Sequence, residues 1–331
     1  MGNKKNSTNP AARIFGSQKM VMLVVLIALF VMFSVLSPTF RSYSTILQIF
    51  SYSYYITFMA IGATFALITG GVDLSLGTGM ICYAVIGGYF IVEKGCPVIV
   101  GILITILIAT AFGFFNGILV GVLNIPPFIA TLGTMMITRG LGAMVTSGMS
   151  VTWPMSGMEG GWFRNIFKIK INNTMIPLGF LWVVIIVVIM TFILFHTKFG
   201  RYVIAIGSNK EATRLSGVKV VYYHVAAYTL CGFFTGLAAI SYAATFQQIV
   251  PATGAGLELD AIGSAIIGGT SMNGGAGSIT GTLIGVFIMS LLKTGLPFVG
   301  LQANWQQIIT GIILILAVSM DVIKRYRDSR K

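Results

Sequence analysis

The chain has 331 residues, of which 56% are hydrophobic and only 9% are charged, and its mean hydropathy is +0.91. Soluble domains carry about 25% charged residues, so this composition excludes a soluble enzyme and predicts a polytopic membrane protein with little mass outside the bilayer. The net charge of +13 would suit a nucleic-acid-binding protein, but membrane proteins concentrate Lys and Arg on cytoplasmic loops, which explains the excess without nucleic acid.

The first half of the chain alternates apolar runs with short polar intervals. Residues 1–19 are polar and basic, and the apolar run 20–36 that follows lacks a small-residue cleavage site, so we expect a retained span rather than a signal peptide. The third apolar segment, 78–92, is short, because about 15 residues of helix give roughly 23 Å, less than the hydrocarbon core. The full-length runs of this half are 46–69, 98–122 and 128–146.

The second half begins with the longest polar interval, residues 147–175. The last runs include a glycine-broken pair, 261–269 and 279–292, in which the first piece reaches only about 14 Å. This pair either crosses the membrane twice or enters and returns as two half-helices. The other runs are 176–195, 222–246 and 305–320, and the interval 247–260 is predicted to be a loop. The sequence therefore predicts an all-α membrane protein with about ten transmembrane helices, some of them short or broken.

The basic residues indicate the orientation of these spans. Most of the 21 Lys and Arg residues lie in three clusters, at residues 1–19, 197–221 and 323–331. With an even number of crossings all three clusters face the cytoplasm, as positively charged loops prefer. We therefore expect a cytoplasmic N-terminal segment 1–19, a transmembrane domain 20–322 and a cytoplasmic basic tail 323–331. The outer intervals hold fewer basic residues, namely Arg41, Lys94, Arg164, Lys168, Lys170 and Lys293.

Two acidic, glycine-flanked stretches occupy matching places in the two halves. Residues 71–77 read GVDLSLG and residues 256–263 read GLELDAIG, each after a long span and before a short apolar segment. In the expected topology the first follows an inward crossing and the second an outward one. This arrangement predicts an inverted repeat with interrupted helices around a central path.

Motifs for catalysis, metals and cofactors are missing from the sequence. It contains no Walker-type phosphate loop and no His-Glu-x-x-His, so we expect no ATP hydrolysis, no metal site and no bound cofactor. Cys82, Cys96 and Cys231 lack metal-ligand spacing and are interpreted as packing residues. His196 and His224 are interpreted as interfacial residues.

Charges within apolar segments mark a candidate solute path. A charge at the centre of a membrane helix costs about 2.5–3.5 kcal/mol, so Arg139 either snorkels, forms an ion pair or lines an aqueous path. Asp73, beside Ser75, is placed to cap the third segment, and a capping role is compatible with a position next to the path. Uncharged polar groups nearby suit a neutral hydroxylated solute or simply link helices. The candidate path residues are Asp73, Ser75, Asn116, Arg139, Thr270 and Asn273.

The polar loop 197–221 contains a predicted short helix. Asn209 is placed to cap a helix that begins at Lys210, and Gly217 to end it. About two turns of helix are unstable alone in water, so this helix must dock on its own bundle or on a partner. The alternative is an ordinary basic loop.

The residues of this loop carry a family resemblance. Residues 200–218, GRYVIAIGSNKEATRLSGV, resemble the cytoplasmic loop of ATP-binding-cassette (ABC) importer permeases, particularly ribose-type sugar permeases. Glu211-Ala212-Thr213 followed by Gly217 is similar to the family's Glu-Ala-Ala…Gly coupling motif, with Thr213 in place of Ala. Other similar blocks, in the family's order between residues 20 and 322, are 71–77, 127–133 with Arg139-Gly140, 258–262 and 268–271.

The resemblance implies a permease subunit in a bacterial cytoplasmic membrane, moving ribose or a related monosaccharide by alternating access. It implies a second permease subunit, two ATP-binding subunits that use ATP and Mg²⁺, and an extracytoplasmic solute-binding protein. The residues that would couple to the ATPase are Asn209, Glu211, Ala212, Thr213, Arg214 and Gly217. The alternatives are a secondary transporter that exchanges ions at Asp73, Glu258 or Asp260, and a channel.

Overall fold

The computed structural model describes residues 18–172 and 174–328. Most of the predicted N-terminal segment and the last three residues of the predicted tail lie outside these ranges. Apolar segments fold into helices because a bilayer offers no hydrogen-bond partners to the backbone. The helices of the first half are α1 (Gln18–Leu36), α2 (Tyr43–Ile68), α3 (Leu76–Val92), α4 (Val98–Gly121) and α5 (Pro127–Val145).

The second half adds seven helices to the described chain. Two short 3-10 helices lie in loops, Pro38–Arg41 in the first half and Gly161–Ile166 in the second. A small antiparallel hairpin in the second half pairs β1 (Ile169–Ile171) with β2 (Thr174–Ile176). The helices are α6 (Gly179–His196), α7 (Lys198–Ser208), α8 (Lys210–Leu215), α9 (Val220–Thr245), α10 (Leu257–Ile267), α11 (Ile279–Phe298) and α12 (Ala303–Asp328).

Seven helices in the described chain are long and apolar enough to cross a membrane. They are α1, α2, α4, α5, α6, α9 and α11, with two shorter apolar stretches in α3 and α12. The all-α polytopic prediction is therefore confirmed. At the centre lies α2, whose residues from Ser53 to Ile68 are all buried, and it packs against α9, α10 and α11.

Several boundaries differ from those predicted. Residues 198–208 form α7, an amphipathic helix that the polar character of the loop concealed. The predicted loop 247–260 was wrong at its end, because α10 begins at Leu257 and carries Glu258 and Asp260 in its first turn. Helix α11 is longer than expected and places Lys293 on a helix rather than in an outer interval. Helix α12 continues to Asp328, into the predicted basic tail.

Contacts between loops show which connections lie at the same end of the helix bundle. At one end, here called the coupling end, Lys210 Nζ donates to Asn124 Oδ1 and Gly275 N donates to Ile68 O. Lys19 Nζ donates to Thr280 Oγ1, at the start of α11, over 2.7 Å.

At the opposite end, the backbones of Val151 and Ile249 pair, and Tyr43 Oη donates to Met175 O. The connections before α2, α6 and α10 therefore gather away from the coupling end. The start of α4 lies with them, because a Cβ on Gly160 would contact Val98 Cγ2.

Candidate translocation and coupling site

The chain between α2 and α3 is broken over residues 69–75, and Asp73 lies inside this break. Its side chain is 2% exposed. Asp73 Oδ1 accepts hydrogen bonds from Ser75 N (2.9 Å) and Ser75 Oγ (2.6 Å). The sequence suggested that Asp73 caps α3, but the N-cap residue of α3 is Ser75. Asp73 instead stabilises the turn before the helix.

Asn116 of α4 connects this break to α5. Its Nδ2 donates to Ser75 Oγ at 3.0 Å and to Asp73 Oδ2 at 3.5 Å, and its Oδ1 accepts from Thr134 Oγ1 at 2.6 Å. Asn116 is 1% exposed, so these bonds replace the water that its amide would otherwise bind. Three predicted path residues, Asp73, Ser75 and Asn116, are therefore brought together in one closed network that braces the broken helix.

The two acidic, glycine-flanked stretches meet each other. A Cβ on Gly77, at the start of α3, would lie closer than 3.0 Å to Glu258 Oε2 and to Gly254 O, so only glycine fits here. Glu258 is buried, and its Oε1 accepts from Gly256 N at 2.9 Å. Its Oε2 has no hydrogen-bond partner among the described residues. Because Gly77 has no side chain, the matching motifs of the two halves pack directly against each other.

Asp260 of α10 pairs with Lys293 of α11. Lys293 Nζ donates to Asp260 Oδ2, and the carboxylate is almost fully buried. A buried carboxylate without a partner is costly, and the ammonium of Lys293 offsets this cost. The ion pair therefore fixes the half-helix α10 to the full-length helix α11.

The remaining predicted path residues lie elsewhere. Arg139 projects from the outward face of α5, is exposed and makes no ion pair or hydrogen bond with any described residue. Thr270 and Asn273 lie in the loop 268–278 at the coupling end; Thr270 is buried and Asn273 is exposed. The structure therefore does not gather all six residues into one cavity.

The predicted short helix is present as α8. Asn209 caps it, since its Oδ1 accepts from Ala212 N at 2.9 Å. Gly217 follows it with a φ of +79°, the left-handed geometry that ends helices at glycine. Glu211 and Arg214 form an exposed i,i+3 ion pair of 3.0 Å. Thr213 is buried against the bundle while Ala212 faces outward, so one side of α8 packs on the bundle and the other side is exposed.

Leu215 is a residue of this helix that the motif did not single out. Its side chain is 78% exposed, which is the largest exposure among the exposed large hydrophobic residues of the described chain. Burying a leucine contributes about 1.5–3 kcal/mol, so this exposed apolar side chain favours contact with another surface. Its position after the Glu-Ala-Thr triplet was the available sequence signal.

At the opposite end, residues 146–172 and 174–178 form a cap held by Arg164. Its guanidinium donates to the carbonyls of Trp153, Pro154, Ala244 and Phe246, and it is 8% exposed. Burial lowers the pKa of Arg164, and burial together with the charge of Arg164 lowers the pKa of Lys168. Two of the acceptors belong to the C-terminal end of α9, where a cation is favoured by the helix dipole. The sequence indicates only that Arg164 is a charge in an outer interval and gives no sign of these four acceptors.

Residues 45–318 match the family described as the permease component of branched-chain amino acid transport systems. The chain belongs to this family. It is a permease subunit of an ABC importer and not an enzyme, since ATP hydrolysis is performed by separate subunits. Its membership also implies ATPase and solute-binding partners, and it is a multi-pass membrane protein.

Several characterised permeases are similar over nearly their whole length. The ribose import permease of Escherichia coli K12 is 34% identical over 310 residues, covering 90% of this chain and 92% of the relative. The autoinducer 2 import permease of Photorhabdus laumondii is 32% identical over 93% of this chain and 90% of its own. The fructose import permease of Bifidobacterium longum is 32% identical, with 89% and 88% covered. No solved structure matches this chain.

Proposed function

We propose that this chain imports ribose or a related monosaccharide. The observation that carries this proposal is the full-length similarity to permeases named for ribose and fructose import. The buried polar groups of the centre are mostly hydroxyls and amides, which suit a neutral solute. The ion-coupled alternative has no support in the comparisons, and Asp260 is already neutralised by Lys293.

Helix α8 is proposed to dock on one ATP-binding subunit. Its exposed side carries Glu211, Ala212, Arg214 and Leu215, while Asn209 and Gly217 fix its two ends. The ATP-binding subunits bind ATP and Mg²⁺, and this chain binds neither. Closure of those subunits would then move α8 and drive alternating access.

The outward face of α5 is proposed to face a second permease subunit across the solute path. Charge on a lipid-facing helix costs about 2.5–3.5 kcal/mol, and Arg139 has no partner in the described chain to offset this cost. Gly133 and Gly140, which are also exposed on α5, have open space where a side chain would be. An aqueous path between two subunits would solvate the guanidinium and present it to sugar hydroxyls.

The assembly is proposed to lie in a bacterial cytoplasmic membrane with both termini and the coupling end inside. Two permease subunits, two ATP-binding subunits and one solute-binding protein would complete it. The cap around Arg164 would face the solute-binding protein. Thr270 and Asn273 then lie near the inner mouth of the path. The buried network of Asp73, Ser75 and Asn116 stabilises the helices beside the path.

Uptake into proteoliposomes tests this function. The complete transporter, with its ATP-binding subunits and binding protein, should accumulate radiolabelled ribose only when ATP is present on the side of the membrane that carries the ATP-binding subunits. A panel with fructose and other monosaccharides identifies the preferred sugar. Uptake by this chain alone, driven by a proton or sodium gradient, would contradict the importer and favour the secondary transporter. ATP-dependent uptake restricted to non-sugar solutes would refute the substrate assignment.

A further inference from the structure

Three separate backbone segments meet at one point of the coupling end. They are the end of α2 at Ile68, the end of α7 at Gly207, and the loop 268–278 at Gly275. Gly275 N donates to Ile68 O over 2.9 Å. A Cβ on Gly207 would lie closer than 3.0 Å to both atoms of this hydrogen bond. Gly207 therefore lies directly against the bond that joins the other two segments.

The loop reaches this point through two consecutive left-handed glycines. Gly274 has a φ of +86° and Gly275 a φ of +77°, which other residues rarely adopt. A Cβ on Gly274 would lie 2.9 Å from Gly207 O and 2.9 Å from Gly70 N. The contact is thus made by main chain on all sides, without flexible side chains that would absorb a displacement.

Each of the three segments leads to a different working part of the permease. Ile68 precedes the break that contains Asp73, and the loop 268–278 connects α10 to α11 with their ion pair. Gly207 is separated from α8 only by Ser208 and the cap residue Asn209. A movement of α8 consequently reaches both broken regions through the same few backbone atoms.

We propose that Gly207 is a positioning residue for translocation: it seats α8 against both helix breaks so that the three move as one unit. The proposal rests on the docking role proposed above for α8. This junction of Ile68, Gly207 and Gly275 persists throughout the transport cycle. Its function is to transmit a displacement of α8 fully to the two helix breaks. A methyl group at residue 207 would push the segments apart and leave α8 free to move alone.

Substitution of Gly207 by Ala tests this role in the complete transporter in proteoliposomes. The measured quantity is sugar imported per ATP hydrolysed by purified complete complexes, so that dissociated ATP-binding subunits do not contribute to the hydrolysis. We expect Gly207→Ala to lower this ratio by about tenfold while ATP hydrolysis continues, in the usual range of coupling between sites. Gly311→Ala is the matched control, because Gly311 is also helical and has open space at its Cβ position. An unchanged ratio in Gly207→Ala would overturn the proposal.

Hydrogen exchange in the unmodified complete transporter provides a second measurement should Gly207→Ala fail to insert. Gly275 N donates to Ile68 O over 2.9 Å, so a persistent junction should keep the Gly275 amide protected from exchange both without nucleotide and with ATP bound. Loss of this protection in either state would refute a persistent junction.

The docking role of α8 has its own readout. If Glu211→Lys uncouples transport and Gly207→Ala does not, the junction is refuted while the docking helix stands. If Glu211→Lys transports normally with full coupling, the docking role itself is wrong, whatever Gly207→Ala shows.

Discussion

Among single residues, Leu215 offers the most direct test of partner docking. It is 78% exposed on a helix whose other side is seated, so a partner that covers it gains apolar burial. We expect Leu215→Asp to weaken binding of the ATP-binding subunit by at least about tenfold, equivalent to about 1.4 kcal/mol. Co-purification and affinity measurements on membranes with expressed ATP-binding subunit check this. Leu215→Met keeps an apolar side chain and should bind normally; equal binding by both variants would remove Leu215 from the interface.

Asn116 illustrates how a polar residue inside the bundle is tied to stability. Asn116→Ala removes donors from Asp73 and Ser75 and an acceptor from Thr134, leaving buried groups unsatisfied. We expect the free energy of unfolding to fall by about 2 kcal/mol, measured as thermal stability in detergent. Thr110→Val, on the same helix α4, removes only a bond to Ile106 O and should change stability little. Equal loss in both variants would show that the network contributes nothing specific.

At the scale of elements, the cap depends on Arg164. Arg164→Met keeps much of the side-chain volume but orphans carbonyls of Trp153, Pro154, Ala244 and Phe246, with an expected loss of about 2–4 kcal/mol. Hydrogen exchange should accelerate over residues 146–178 and at the last turn of α9, but not at α8. Lys170→Met, on the exposed hairpin, is the control. Unchanged exchange in the cap of Arg164→Met would contradict the brace.

The elements also show where pattern reasoning reaches its limit. Helix α8 was predicted from Asn209 and Gly217, since capping and termination act within a few residues. Helix α7 was missed because its polar residues look like a loop until a bundle is present to bury Gly200, Val203 and Ile206. The start of α10 was missed because Glu258 and Asp260 suggest a surface loop, and only Lys293 and the backbone of Gly256 make their burial tolerable.

At the scale of the whole molecule, the two ends of the bundle give a topology prediction. The contacts of Lys210 and Lys19 place their segments at the coupling end, and Lys170 lies on the opposite cap. Single cysteines at Lys170 and Lys219, in a chain without the native cysteines, should label from opposite sides of intact cells. Lys170→Cys should react with a membrane-impermeant reagent, and Lys219→Cys only after permeabilisation. Labelling of both from outside would show that the charge clusters had been misread.

The sequence by itself determined the class of molecule, most helix positions and the capped helix of the coupling motif. These features depend on apolar run length, charge bias and short-range capping, and each is encoded within a few neighbouring residues. Tertiary structure decided that Asp73, Ser75 and Asn116 satisfy one another, that Arg139 faces away from them, and that Gly77 and Gly207 admit close backbone contacts. Such contacts join residues far apart in the chain. Because the packing of the helices selects each partner, a local sequence pattern cannot predict them.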